Sequence, residues 1–159
     1  ALGCYTTGIA VVTTVGGDGE LVGVTINSFA SVSLEPPLVL FSLGHRSTSL
    51  EAFRGGKHFV INVLGAHQRD LSRRFSKVGA DRWEDVEHAL SDHGGPVLTG
   101  CLAHFVCRVE QVLPGGDHDI FLGRVESFEG TGEGAPLLYF RGEYQVLGEG
   151  DHEKANMPW

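Results

Sequence analysis

The chain has 159 residues and a mass of 17.1 kDa, with 42% hydrophobic and 20% charged residues, a composition that fits one ordinary globular domain over 1–159 and excludes disorder. Its formal net charge of −8 and pI near 5.4 oppose a nucleic-acid backbone or an anionic membrane surface, since both are bound through Lys and Arg clusters. No apolar run reaches the roughly 20 residues that span a bilayer and no basic-then-apolar segment opens the chain, so a soluble cytoplasmic protein without membrane or nucleic-acid partners is expected.

The chain begins at Ala1 without a Met, which leaves room for natural residues before it. Gly8 to Val15 is apolar and β-branched, Gly16-Gly17-Asp18-Gly19 breaks it, and Leu21 to Ile26 resumes, which reads as a hairpin. Asn27 to Pro37 is Ser-rich and ends in Pro36-Pro37, so a loop is expected before a buried strand at Leu38 to Leu43. Thr48-Ser49-Leu50-Glu51 matches a capping box and Gly55-Gly56 a stop, which together predict a short helix.

Lys57 to Leu64 reads as a strand and Gln68 to Ser76 as a second helix, with Leu71 and Phe75 on one face and Arg69, Arg73 and Arg74 as the densest basic group. Lys77 to Gly95 reads as an irregular surface excursion containing Trp83. Cys101 to Val109 alternates as a strand, Pro114 to Asp117 turns into a strand from Ile120 to Phe128, and a last strand follows Pro136 through Tyr144. The 23 glycines suit the many turns this requires. About seven strands and two short helices point to a mainly β protein whose antiparallel sheet closes, or nearly closes, into a barrel, because closure removes exposed edges.

The 3 cysteines do not form a disulfide framework. Cys101 and Cys107 on one strand stand about 20 Å apart, far beyond disulfide reach, and are expected to be reduced core thiols. His45, His58, His67, His104 and His152 show no short metal-ligand spacing, and His88, Asp92 and His93 form one loose cluster, so no metal is expected. No Gly-x-Gly-x-x-Gly follows a strand and no P-loop occurs, so any dinucleotide must share a pocket with another ligand.

Three groups carry chemistry. Thr25 to Ser33 gathers hydroxyls and an amide between apolar strands, which suits either a solvated loop or a wrap around a flavin, whose ring needs apolar walls and whose pyrimidine edge needs donors and acceptors. Arg46-Ser47-Thr48 at a helix start is either a plain cap or an anion site. Gly115-Gly116-Asp117-His118 is either an ordinary turn or a close backbone approach with an imidazole facing it.

The runs TTGIAVVTT at 6–14, GVTINSFASVSLEPPLVL at 23–40, FVINVL at 59–64, GDH at 116–118 and PLLYFRGEY at 136–144 resemble the short-chain flavin reductases over nearly the whole chain. The resemblance implies an FMN-binding split β-barrel, antiparallel with short flanking helices, usually a homodimer. It also implies that the protein supplies reduced flavin to flavin-dependent monooxygenases, such as those acting on phenol, hydroxyphenylacetate and antibiotic precursors. It places Thr25, Asn27, Ser28, Ser31, Val32 and Ser33 at the flavin, Ser47 and Thr48 near its phosphate, and Phe75 near the ring or the dinucleotide tail. His118 then lines the nicotinamide side as the catalytic residue, and Tyr144 closes the pocket.

The implied activity is NAD(P)H:flavin oxidoreduction on FMN or FAD, with NADH or NADPH as reductant. Hydride passes directly between the rings, so orientation matters more than a protein acid or base. Two alternatives remain at this stage: a flavoenzyme of the same fold acting on an organic substrate, and a flavin-binding protein that is not an enzyme.

Overall fold

A computed structural model describes residues 1–79, 82–93 and 95–148. Its main sheet is built from β2 (Ala10–Val15), β3 (Leu21–Ile26), β4 (Ala30–Leu34), β5 (Pro37–Gly44), β6 (His58–Val63), β9 (Ala103–Pro114) and β10 (His118–Gly130). Their order across the sheet is β3-β2-β6-β9-β10-β5-β4, and every neighbouring pair is antiparallel. β1 (Thr7–Gly8), β11 (Leu138–Phe140) and β12 (Glu143–Gln145) form a small second sheet, and β7 (His88–Leu90) pairs with β8 (Pro96–Leu98). The helices are α1 (Leu50–Gly55) and α2 (Arg69–Ser76). Among the described residues no helix is long and apolar enough to cross a membrane.

In a flat sheet, β3 and β5 would lie more than about 20 Å apart at the usual strand spacing. Yet Val22 and Ile26 of β3 share one core with Val39, Phe41 and Leu43 of β5, so the sheet curls around that core. Phe41 lies at its centre, stacked on Phe121 at 4.8 Å and edge-on to Phe53 and Phe59. Among the described residues no ladder joins β3 to β4, so the curl stops short of hydrogen-bonded closure. A second core, with Ile9, Val11, Leu64, Phe75 and Leu98, fills the opposite face of β2. Asn62 is fully buried there: its amide donates to Val11 O at 3.1 Å, and its Oδ1 accepts from Leu98 N–H at 2.9 Å, fixing β8 to the main sheet.

The hairpin at β2 and β3, the strands β5, β6 and β10, and the helix α2 form where the sequence places them. Five segments differ. Ala30–Leu34 is not loop but an edge strand on β5, because Pro36 occupies the turn and Pro37 opens the next strand, where a missing N–H costs little. The capping box at Thr48 does not form: the N-cap is Ser49, one residue later, Ser47 Oγ accepts from Ser49 N–H, and Glu51 pairs with Arg54 at 2.8 Å. The excursion after α2 contains β7, and its Trp83 packs edge-on against Phe75 at 5.0 Å. The last strand is a hairpin, β11 to β12, turned by Arg141 and Gly142, both with positive φ. Cys101 precedes β9 rather than joining it. Both Cys101 and Cys107 are free, and burial pushes their thiols up to about 11 and about 12. His152 lies outside the described residues.

Candidate functional site

Helix α2 lies against β3, and the β11–β12 hairpin closes over its far side, leaving a cleft of about 360 Å3. Ile9, Ile26 and Tyr139 give it apolar walls, and Thr25, Asn27, Ser72 and Tyr144 line it with polar atoms. Thr25 Oγ1 donates to Ser72 O at 2.7 Å, so its lone pairs are what it offers a ligand. Ser72 Oγ and the Tyr144 hydroxyl meet at 3.0 Å. The guanidinium carbons of Arg69 and Arg73 each lie 5.7 Å from the centre of the Tyr144 ring, within cation–π range. Helical spacing of four residues puts both arginines on one side of α2.

Two further clefts share Arg82, one against α2 and one between β3 and α1. One of about 530 Å3 is lined by Arg73, Arg74, Lys77 and Arg82 with Asp70, a cationic surface on an acidic protein. The other, about 320 Å3, runs along β3 past Thr48, Arg82 and Trp83. Gly23 lines the second of them. A Cβ there would meet the Phe75 ring at 2.6 Å and the Trp83 ring at 3.2 Å, so only glycine lets these aromatics lie on β3. Phe75 itself is 1% exposed; it supports the cleft wall from behind rather than reaching the surface of any cleft.

The remaining expected residues lie elsewhere. Ser28 is pinned to β5, its Oγ donating to Ser42 O and accepting from Ser42 N–H, each at 3.0 Å. Ser31, Val32 and Ser33 stand on the exposed edge strand β4. His118 opens β10 opposite Gly44, with its Nδ1 2.7 Å from Asp117 Oδ1, which helps hold the Asp117 carboxyl below its ordinary range. A Cβ on Gly44 would come within 3.3 Å of His118 Nε2, so glycine makes room for the ring. His118 is not among the residues lining the cleft beside Tyr144.

Sequence reasoning missed the neighbours of His118. Asp119 is buried and accepts from Arg54 Nε at 2.7 Å, with His45 Nε2 at 2.8 Å; the guanidinium first and then the imidazole hold its carboxyl low. Only the strand alternation of β10, which turns Asp119 inward beside an outward His118, could have signalled it. Ser72 was also missed. Nothing in a lone helical serine points to a tyrosine far along the chain.

A family model described as "Flavin reductase like domain" matches residues 2–148. The chain is 42% identical over 144 residues to the reductase component of a flavin-dependent trigonelline monooxygenase from Acinetobacter baylyi, covering 91% of this chain and 46% of that protein. It therefore spans about half of that relative's length. It is 43% identical to an FMN reductase (NADH), SmoA, from Agrobacterium fabrum, over 91% of this chain and 81% of that one. The fold is similar to the NADH:FAD oxidoreductase SgcE6 of Streptomyces globisporus, solved with NAD and FAD fragments, at a TM-score of 0.89 and 35% identity, covering 96% of this chain and 91% of that one.

Proposed function

Because the chain belongs to the flavin reductase-like family, we propose that it is an NAD(P)H:flavin oxidoreductase that reduces FMN or FAD and hands the reduced flavin to a partner flavin-dependent monooxygenase. The observation that carries this reading is the cleft between β3, α2 and the β11–β12 hairpin, where Thr25, Asn27, Ser72 and Tyr144 converge against apolar walls. Its residues fit a flavin. Ile9, Ile26 and Tyr139 offer flat apolar contact, Asn27 offers both amide donor and acceptor at the exposed rim, and the cationic surface of Arg73, Arg74 and Arg82 next to it suits phosphate groups. Ser47 and Thr48, on the approach to α1, stand ready for a phosphate as well.

When bound, the flavin supplies a ring nitrogen that accepts hydride from the nicotinamide. The chain's own residues bind and orient. Thr25 accepts a hydrogen bond, the Tyr144 hydroxyl is held by Ser72, and Phe75 keeps the wall in place through Gly23. His118 orients the nicotinamide side, its ring direction set by Asp117 and by the space over Gly44.

The same reading takes the curled, unclosed sheet as a split barrel in a single domain, working in the cytoplasm as a homodimer. The outward row of the sheet supports the dimer: Leu113, Ile120 and Ser42 lie side by side on β9, β10 and β5, and Leu34 on β4 is 72% exposed. Pairing two such faces removes apolar surface from water and covers the β4 edge, placing Ser31, Val32 and Ser33 beside a second chain. A second copy would also provide the site with a His118 that its own cleft lacks.

NAD(P)H oxidation by the purified chain, with FMN or FAD added and omitted in turn, tests the reading. Turnover that requires free flavin supports it. Tight flavin binding without NAD(P)H oxidation would instead make the protein a flavin carrier, and turnover only with an organic acceptor would make it a different flavoenzyme.

A further inference from the structure

We infer that His58, His93 and Glu126 form a binding site for a divalent late first-row transition metal, Zn2+ being the type case, that ties the turn between β7 and β8 to the main sheet. The three side chains come from distant parts of the sequence: His58 opens β6, His93 lies in the β7–β8 turn, and Glu126 belongs to β10. Their ligand atoms all lie within 4.8 Å of one another. This is the sole such triad of His, Cys, Asp or Glu among the described residues.

The backbone presents Glu126 specially. The β9–β10 register shifts between Val125, opposite Cys107, and Ser127, opposite Val106, so Glu126 is the extra residue of a bulge. A bulge re-aims its side chain out of the regular alternation. Here it turns the carboxylate to both imidazoles: Glu126 Oε2 is 3.0 Å from His93 Nε2 and 3.4 Å from His58 Nε2. Four-coordinate zinc with bonds of about 2.0–2.2 Å holds neighbouring ligand atoms about 3.4 Å apart. The two carboxylate-to-imidazole separations lie close to that spacing.

The other oxygen is occupied. Arg108 Nε lies 3.5 Å from Glu126 Oε1, an ion pair on the oxygen that does not face the histidines, where an outer partner of a metal ligand would stand. The charge of Arg108 is balanced by Glu110 at 3.2 Å. The two imidazole rings stack at 4.2 Å and 3°. Their in-plane lone pairs run side by side, so one ring must turn for both to reach a single ion. His93 is exposed on its turn and is the ring with freedom to do so. Two imidazoles and one carboxylate leave a fourth position for water, and that set prefers zinc and its neighbours over calcium or magnesium.

This site stands apart from the flavin reading and survives its failure. Its test uses the full chain without a histidine tag, stripped by chelator and titrated with Co2+, with Zn2+ then added as competitor. One equivalent of Co2+ should bind, with visible absorption bands that Zn2+ abolishes. His93→Ala and Glu126→Gln should each weaken Co2+ binding tenfold or more, whereas His88→Ala, on the neighbouring strand, should not. Zn2+ should raise the melting temperature of the native chain and not of His93→Ala. Absence of Co2+ binding, equal binding in His93→Ala, or equal loss in His88→Ala would overturn the assignment.

Discussion

The cleft beside Tyr144 and the start of β10 are built differently. Around Tyr144 the polar groups are tied in a chain, Thr25 to Ser72 and Ser72 to Tyr144, and the aromatic wall packs on Gly23. At the start of β10 the network is just as tight one residue further on, at Asp119, but His118 itself projects into solvent with one carboxylate contact. The Tyr144 side is preorganised within a single chain, and on the proposed reading His118 serves a ligand or chain outside its own cleft. A ligand held firmly on the first side and approached by a second ligand on the other is the behaviour this asymmetry favours.

The comparison breaks most severely at the wall. Phe75→Ala removes a fully buried ring beneath β3 and should cost about 3–5 kcal/mol of stability, read by urea unfolding, with loss of flavin affinity in the surviving fold. Unchanged stability would mean the wall does not depend on it. A milder break lies on the cleft surface. Asn27→Ala should weaken flavin several-fold, the effect of about 1 kcal/mol for one hydrogen bond, with the melting temperature little changed because the residue is exposed.

On the other side, His118→Ala should raise the KM for NAD(P)H or slow flavin reduction several-fold while flavin affinity stays near the native value, as loss of about 1 kcal/mol of positioning would do. Stopped-flow reduction of bound flavin reads this. A native rate and KM would return His118 to an exposed turn residue.

The smallest effect concerns pH. Asp119 has a folded pKa lowered from the ordinary 3.8 by Arg54 and His45. The stability it lends is therefore fully present above the unfolded value and is lost as pH falls through the folded one, below 3.8. Asp119→Asn should flatten the acid limb of the stability curve in that window. An identical acid limb in the variant would remove Asp119 from the account.

Legibility in the sequence follows the same divide. The β2–β3 hairpin was readable because Gly16 to Gly19 gives an unmistakable turn, and α2 because Leu71 and Phe75 share a face. β4 was not, because although Ala30, Val32 and Leu34 alternate with Ser31 and Ser33, the run is short and Ser-rich and runs straight into Pro36-Pro37, which together read as a loop. The β11–β12 hairpin reads as one strand in the sequence because its turn uses Arg141 rather than Asn or Asp before glycine. Thr25, Asn27 and Tyr144 were legible through motif resemblance and do share a cleft. Ser72, Asp119 and the His58, His93 and Glu126 triad depend on which strands neighbour each other, which no local spacing encodes.

Flavin titration of the full chain, native against Tyr144→Phe and Asn27→Ala, with bound flavin followed by fluorescence quenching, tests the central claim most directly. Saturable binding in the native chain, weakened several-fold by Asn27→Ala and measurably by loss of the hydroxyl that Ser72 holds, is the predicted result. Native-like affinity in both variants, with the fold intact, would contradict it and move the flavin out of the cleft between β3, α2 and the β11–β12 hairpin.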